Sequence, residues 1–176
     1  TMTTFKPRQI EETLAQINDA VNAGCDIIRT SVNSDEDIVA LNVIKKQINI
    51  PIVADIHFDY RLAIKAIDAG VDKIRINPGN IGSDANVKAV ADAVRANNVA
   101  VRVGANTGSI EKEFLAKYGR NEFSLVESAL KNVSILEKYG VENIVVSVKA
   151  SDVRLNVKAY EYLSTKTDYP LHLGVT

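Results

Sequence analysis

Three short segments of the chain repeat one pattern: a glycine, an acidic residue two positions later, and then isoleucine or valine. They are residues 23–29, 69–75 and 139–145. Each glycine is predicted to end a helix in the left-handed conformation, and each apolar run to begin a buried strand. A chain that passes repeatedly from helix to strand in this way is limited to alternating α/β folds.

Short apolar runs alternate with segments of helical periodicity along the whole chain. Strands are predicted near 25–30, 51–56, 72–77, 99–104, 143–148 and 170–174. Helical spacing is shown by four apolar sets: Ile10, Leu14, Ile17 and Val21; Val87, Val90, Ala91 and Val94; Leu125, Ala129, Val133 and Leu136; and Val153, Val157 and Tyr160. Ser34 and Ser83 stand where helix N-caps belong. The predicted order is a helix first and then strands and helices in turn.

This alternation indicates right-handed βαβ crossovers and a parallel sheet. A doubly wound open sheet could be complete in 176 residues, but no Gly-x-Gly-x-x-Gly follows a predicted strand and the repetition is even. A full barrel of eight βα units uses about 250 residues. We therefore predict one domain over 1–176, an α/β fold that is an incomplete (β/α)8 TIM-type barrel of about six strand–helix units.

Composition excludes several other classes of protein. The chain has 21 Lys and Arg and 22 Asp and Glu, and this balance argues against nucleic-acid binding by bulk attraction to phosphates. No apolar run approaches the roughly 18 residues of a membrane span, and no signal peptide opens the chain, so we expect a cytoplasmic protein without a membrane partner. The single cysteine, Cys25, excludes an internal disulfide or a cysteine metal cage and is interpreted as a small buried side chain.

Polar side chains share one face of the predicted strands, because residues two apart point to the same side. The sets are Arg29 with Ser31; Asp55 with His57; Lys73 with Arg75 and Asn77; Arg102 with Gly104 and Asn106; Ser147 with Lys149; and His172 with Gly174 and Thr176. The alternate positions are apolar. In a parallel barrel these strand ends converge on the C-terminal mouth, where active sites form.

Four cations on this face, Arg29, Arg75, Arg102 and Lys149, favour a polyanionic ligand. Like charges about 8 Å apart repel by roughly 2 kcal/mol at an effective dielectric constant of about 20, so six dry pairs would cost on the order of 10 kcal/mol. Asp55 is the single acid on that face and cannot balance all four. The alternative is an interior layer of ion pairs, for instance Arg29 with Asp55. His57 and His172 are either acid–base groups or hydrogen-bonded wall residues.

Two loops add candidate binding elements. Residues 77–82 carry two glycines between a strand and a helix, which lets backbone amides approach an anion. Residues 106–123 form a long loop with a short helical piece at 110–118. Long loops of this kind are often lids or binding elements, and the alternative is a surface decoration.

Several blocks of the chain resemble the 4-hydroxy-3-methylbut-2-enyl diphosphate synthase family of the non-mevalonate isoprenoid pathway. They are residues 53–61, 73–82, 147–152 and 171–176, with 2–5 and 102–108 in addition. The resemblance runs from the first residues to the last. It implies an oxidoreductase that opens 2-C-methyl-D-erythritol 2,4-cyclodiphosphate with two electrons and loss of water.

The resemblance also implies roles for individual residues. Arg29, Arg75, Arg102, Asn106 and Lys149 match the family's diphosphate-binding positions. Asn77, Ser151 and His172 lie in the same matching blocks and complete the candidate substrate-binding set. Asp55 and His57 are the candidate catalytic residues and are expected to line the carbon end of the substrate.

The family further implies a 4Fe–4S cluster that is bound by three cysteines and a glutamate of a C-terminal domain, so no metal ligand is expected in this chain. A homodimer and a flavodoxin- or ferredoxin-type electron donor are implied as partners. We expect the first strand, the last barrel unit and the cluster domain to lie outside 1–176, and the fragment alone to be inactive.

Two other functions remain open from the residues. A pterin-binding barrel of the dihydropteroate-synthase type also places Asp, Asn, Lys and Arg at strand ends, but it would not explain four cations. A non-catalytic module that binds a phosphorylated metabolite would explain the cations without any reaction.

Overall fold

The structure is a computed structural model that describes residues 1–174. Its helices are α1 (Ile10–Asn22), α2 (Asp35–Lys45), α3 (Tyr60–Asp68), α4 (Asp84–Asn97), α5 (Lys112–Tyr118), α6 (Glu122–Glu137) and α7 (Val153–Ser164). Its strands are β1 (Ile28–Ser31), β2 (Ile52–Asp55), β3 (Lys73–Arg75), β4 (Ala100–Asn106) and β5 (Ile144–Lys149). Helices and strands alternate as predicted, and α5 accounts for the helical piece expected in the long loop.

The chain forms two compact units, Thr1–Val101 and a second that begins at Arg102. In the first unit β1, β2 and β3 are parallel neighbours in chain order. The start of β4 follows, because the Ala100 N–H donates to the Asp72 carbonyl at 3.3 Å. Ahead of β1, Met2 forms an isolated parallel bridge with Arg29, so an extended segment precedes the helix that we predicted to come first.

In the second unit β4 lies beside β5, and Leu171 forms an isolated parallel bridge with Val146. Within the described residues, the predicted strand at 170–174 is therefore reduced to one bridge. Gly104 of β4 lies so close to β5 that a Cβ would be 1.7 Å from the Ser147 carbonyl oxygen. Only a glycine permits this approach.

The predicted helix signals are confirmed. Ser34 accepts a hydrogen bond from the Asp37 N–H, and Ser83 accepts one from the Asn86 N–H, so both cap their helices. The glycines of the three repeated segments all have positive φ, at 90° for Gly24, 88° for Gly70 and 73° for Gly140. These left-handed residues follow the ends of α1, α3 and α6, and each precedes the next strand.

The predicted apolar faces of α4 and α6 are confirmed as buried. In α1, only Ile17 of the predicted set is buried, and Val21 is exposed. The predicted helix is present as α7, and of its apolar set Tyr160 is buried, whereas Val153 and Val157 are 64% and 52% exposed. The buried face of α7 also includes Asn156, Ala159 and Leu163, and its polar groups bind the backbone of the second unit.

Candidate functional site: the carboxyl ends of the strands

The strand register of the first unit places polar residues in two rows. Ser31, Asp55 and Arg75 are Cα partners across β1, β2 and β3, and Arg29, Val53 and Lys73 form the row before them. Partners in a parallel ladder lie on the same face of the sheet. The predicted shared face is confirmed for these strands, and the apolar residues Ala54 and Ile74 lie buried on the other face.

Asp55 joins both arginines of this unit. Its Oδ1 accepts a hydrogen bond from Arg75 Nη1 at 3.1 Å, and its Oδ2 lies 3.7 Å from Arg29 Nε. His57 Nε2 is 4.0 Å from the same Oδ2. The carboxylate is only 5% exposed, whereas the two arginine side chains are 24% and 30% exposed. The alternative interpretation, in which Arg29 pairs with Asp55, therefore holds in the first unit. Arg75 is a second partner of the same carboxylate.

One shared carboxylate leaves this cluster cationic. Two guanidinium groups carry ten N–H donors, while a carboxylate has about four acceptor positions. Met2 supplies a further, weak acceptor, because its Sδ lies 2.9 Å from Arg29 Nη2 and 3.2 Å from Nε. Asp55 therefore orients the two arginines without saturating them, and the cluster can present positive charge and donors to an anion.

The loop after β3 uses the side chain of Asn77 to shape itself. Asn77 Oδ1 accepts a hydrogen bond from the Gly79 N–H at 3.0 Å, and the Asn80 N–H donates to the Asn77 carbonyl. Gly82 has a φ of 105°, and a Cβ there would be 2.6 Å from Asn86 Nδ2. These contacts fix the conformation of the loop that leads from β3 to the N-terminus of α4.

In the second unit Arg102 and His172 form a close pair. Arg102 is 4% exposed, and its Nη1 lies 2.8 Å from His172 Nε2. A guanidinium has donors only, so Arg102 donates in this contact and His172 Nε2 accepts.

Asn106 and Lys149 lie at the ends of β4 and β5. Asn106 Oδ1 accepts from the Gly108 N–H at 2.9 Å, which repeats the turn that Asn77 makes after β3. The Thr107 N–H donates to the Lys149 carbonyl at 3.1 Å, so the two strand ends stay together. The Lys149 side chain lies beside Gly174, because a Cβ at Gly174 would be 3.2 Å from Lys149 Cε. Ser151 follows β5 and is exposed.

Sequence reasoning missed two residues of α7 that hold this end of the second unit. Tyr160 accepts a hydrogen bond from the Val148 N–H and donates its own O–H to the His172 carbonyl. Asn156 accepts from the Ala150 N–H at 3.0 Å and donates to the Gly174 carbonyl at 2.9 Å. Burial raises the pKa of the Tyr160 phenol. The four-residue spacing of Asn156 and Tyr160 was the available signal, and the neighbouring valines obscured it.

The second unit also carries the long loop after β4. Its helix α5 has no buried residue, and it is held to α6 by Lys131, whose Nζ lies 2.6 Å from Glu113 Oε1. The Glu113 contact is the main cause of a raised Lys131 pKa. Arg120 Nη1 donates to the Thr107 carbonyl at 2.9 Å, which ties the far end of the loop to its start.

The residues of this chain do not fit an iron–sulfur cluster. The thiol of Cys25 donates to the Ile27 carbonyl at 3.1 Å. The residue is half-buried, whereas we predicted a buried side chain. Among residues 1–174, no three histidine, cysteine or acidic side chains lie together as a metal site would need. Within the same residues, every helix is too short or too polar to cross a membrane.

The fold defines a partial TIM-type barrel domain with cationic residues near the carboxyl ends of its strands. Residues 1–176 match the GcpE TIM-barrel domain family, and the chain belongs to that family.

Curated relatives from three bacteria share the name 4-hydroxy-3-methylbut-2-en-1-yl diphosphate synthase (flavodoxin). The chain is 52% identical to that of Caldanaerobacter subterraneus subsp. tengcongensis, over 99% of this chain and 50% of the relative. It is 50% identical to that of Fusobacterium nucleatum, over 99% and 50%. It is 52% identical to that of Listeria monocytogenes, over 99% and 48%. The chain thus spans about half the length of the curated relatives it matches.

Solved structures confirm the fold class. A phospho-2-dehydro-3-deoxyheptonate aldolase from Thermotoga maritima matches with a TM-score of 0.66 at 11% identity, over 97% of this chain and 49% of that one. A dihydropteroate synthase from Clostridium difficile matches with a TM-score of 0.62 at 18% identity, over 93% and 66%. At these identities the likeness concerns the fold alone. The prediction of an incomplete TIM-type barrel is confirmed.

Proposed function

We propose that this chain is the substrate-binding barrel of a 4-hydroxy-3-methylbut-2-enyl diphosphate synthase of isoprenoid biosynthesis. The full-length enzyme would convert 2-C-methyl-D-erythritol 2,4-cyclodiphosphate into the hydroxymethylbutenyl diphosphate. The observation that carries the proposal is the match of the whole chain to relatives with that name, at about half identity. Arginine and lysine at the strand ends agree with a diphosphate substrate.

The substrate-binding role is proposed for Arg29, Arg75, Asn77, Arg102, Asn106, Lys149, Ser151 and His172. Guanidinium groups suit this role because their planar forks bind phosphate oxygens through paired, charge-assisted hydrogen bonds. The arrangement of Arg29 and Arg75 around Asp55 supports it, since both guanidinium groups are already oriented before a ligand arrives. An oriented side chain loses less conformational entropy on binding.

Asp55 and His57 are proposed to line the carbon end of the substrate. Asp55 would also act through the arginines, because its carboxylate fixes Arg75 at 3.1 Å. His57 lies beside that carboxylate and its side chain is 43% exposed, so it can reach a ligand and exchange a proton with it. These residues are the candidate acid–base groups of this chain.

The remaining parts of the reaction are proposed to come from outside this chain. A 4Fe–4S cluster would supply the two electrons, held by residues of the other half of the full-length protein. Flavodoxin is the proposed electron donor, in agreement with the names of the relatives. We also propose a cytoplasmic homodimer and expect this chain alone to be inactive.

Binding measurements on the full-length protein test the proposal against the alternatives. Calorimetry with the cyclodiphosphate and, separately, with a pterin should show binding of the cyclodiphosphate only. Pterin binding without cyclodiphosphate binding would favour a dihydropteroate-synthase-like activity instead. Anaerobic reconstitution with iron and sulfide, followed by an assay with a reductant, should then show conversion. Binding without any conversion would indicate a phosphometabolite-binding module.

A further inference from the structure

We infer that Met2 is a positioning residue, whose thioether fixes which edge of the Arg29 guanidinium faces the substrate. The inference rests on the proposed function, in which Arg29 binds the substrate diphosphate. It adds to that function a residue that acts through Arg29 and does not itself touch the substrate.

The backbone around Met2 and Arg29 is paired as in a parallel sheet. The two residues form an isolated parallel bridge. The Thr3 N–H donates to the Arg29 carbonyl at 2.8 Å, and the Arg29 N–H donates to the Thr1 carbonyl at 2.9 Å. Because partners in a parallel pair point to the same face, these hydrogen bonds bring the two side chains together independently of any ligand.

The thioether occupies one edge of the guanidinium. Met2 Sδ lies 3.2 Å from Arg29 Nε and 2.9 Å from Nη2. The Nε N–H and one Nη2 N–H are parallel, and such a pair can bind a carboxylate or phosphate through two hydrogen bonds. With that edge turned toward Met2, the edge formed by Nη1 and the second Nη2 N–H remains to bind an anion.

Met2 is also the only hydrogen-bond acceptor of this guanidinium within residues 1–174. Asp55 Oδ2 lies 3.7 Å from Arg29 Nε, which is too far for a hydrogen bond. The same carboxylate accepts its hydrogen bond from Arg75 Nη1, at 3.1 Å. Asp55 therefore attracts Arg29 through its charge, whereas the thioether determines which N–H groups of Arg29 are already engaged.

The chemistry of a thioether suits this role. It is a neutral and weak acceptor. It can therefore orient Arg29 without offsetting the charge that attracts a phosphate, whereas a second carboxylate in its place would offset that charge. A guanidinium that is oriented before binding loses less conformational entropy when the ligand arrives.

Three substitutions of Met2 separate orientation from charge in the full-length protein. Met2→Leu keeps an apolar side chain of similar volume but has no acceptor. Met2→Gln brings an amide oxygen close to the position of Sδ and restores a neutral acceptor. Met2→Glu brings an acceptor to the same position but adds a negative charge beside Arg29.

Calorimetry with the cyclodiphosphate should show binding about fivefold weaker for the Leu variant, about tenfold weaker for the Glu variant, and within about threefold of wild type for the Gln variant. In the reconstituted enzyme the Leu substitution should change KM more than kcat. Thermal unfolding identifies the variants that fold, and Met2→Val carries the acceptor-free test if the Leu variant does not fold.

Two results would overturn the inference. An affinity of the Leu variant equal to or above that of wild type would show that the substrate displaces the thioether. Equal losses in the Leu and Gln variants would show that the acceptor at this position does not matter.

A double-mutant cycle with Arg29→Ala distinguishes this inference from the proposed function. If Met2 acts through Arg29, Met2→Leu should not weaken binding further in the Arg29→Ala background. Additive losses would mean that Met2 contacts the substrate directly, which contradicts the inference alone. An unchanged affinity of the Arg29→Ala single variant would instead contradict the proposed role of Arg29.

Discussion

At the scale of single residues, the strand ends depend on how buried charged groups are paired. The Asp55 carboxylate is nearly buried and lies beside two arginines. The Arg102 side chain is buried and contacts the His172 imidazole. Which residues share a strand face could be predicted from the sequence, since alternation fixes it. The sharing of Asp55 and the contact between Met2 and Arg29 could not, because they depend on side-chain torsions and on residues distant in sequence.

Asp55→Asn should lower the free energy of unfolding of the full-length protein by about 2–4 kcal/mol, because two guanidinium groups lose their shared carboxylate. Denaturant titration measures this. Asp92→Asn is the matched control, since Asp92 pairs with Lys88 on the surface of α4. The control should change stability by less than about 0.5 kcal/mol. Equal losses for the two variants would show that Asp55 is not the centre of the cluster.

At the scale of secondary-structure elements, the sequence predicted where helices start and end, but it predicted the buried faces of α1 and α7 only in part. Ser34, Ser83 and the three glycines act locally, so the sequence around them predicts their role. α7 differs because its buried face carries Asn156 and Tyr160, which satisfy backbone groups of the second unit. The spacing of Val153 and Val157 does not predict this buried face, because the face also depends on hydrogen bonds between side chains and distant backbone groups.

Gly104→Ala should be among the most destabilising single changes in the chain. Its Cβ would overlap the Ser147 carbonyl oxygen at 1.7 Å, so β4 and β5 would have to separate. We expect a loss of about 3 kcal/mol or more, measured by denaturant unfolding. Gly79→Ala is the control, because its Cβ would meet only Asn77 Oδ1 at 3.4 Å. A loss no greater than that of the control would contradict the close strand approach.

Tyr160→Phe should cost about 1–3 kcal/mol, because the Val148 N–H and the His172 carbonyl both lose a buried partner. Tyr162→Phe is the control, since its hydroxyl makes only a 3.4 Å contact with Glu127.

The same variant should change the response to alkaline pH. Burial raises the pKa of Tyr160 in the folded state, so the unfolded chain loses its proton first. The stability that Tyr160 contributes is therefore present below its unfolded pKa of about 10 and declines as pH rises above it. Tyr160→Phe should lose stability less steeply than wild type above that pH, as followed by thermal unfolding. An identical alkaline slope would contradict the buried phenol.

At the scale of the whole molecule, the chain is a TIM-barrel domain of its family that spans about half the length of its relatives. The alternating order of elements and the even repeat made the barrel predictable. The reaction was not predictable from charge and parity alone, which left a pterin or another phosphorylated metabolite open. Long sequence blocks such as residues 73–82 decided the family, because they carry more information than any pattern of faces.

The most direct test of the central claim is calorimetry of the cyclodiphosphate with full-length Arg75→Ala, Arg102→Ala and Ile74→Ala proteins. Each arginine variant should bind more weakly by about 1.5–3 kcal/mol, the range for a charged hydrogen bond. Ile74 is fully buried on the opposite face of β3, so its variant should lose about 2–5 kcal/mol of stability and keep its affinity. Unchanged affinity in both arginine variants, or lost affinity in a stable Ile74→Ala protein, would contradict the account.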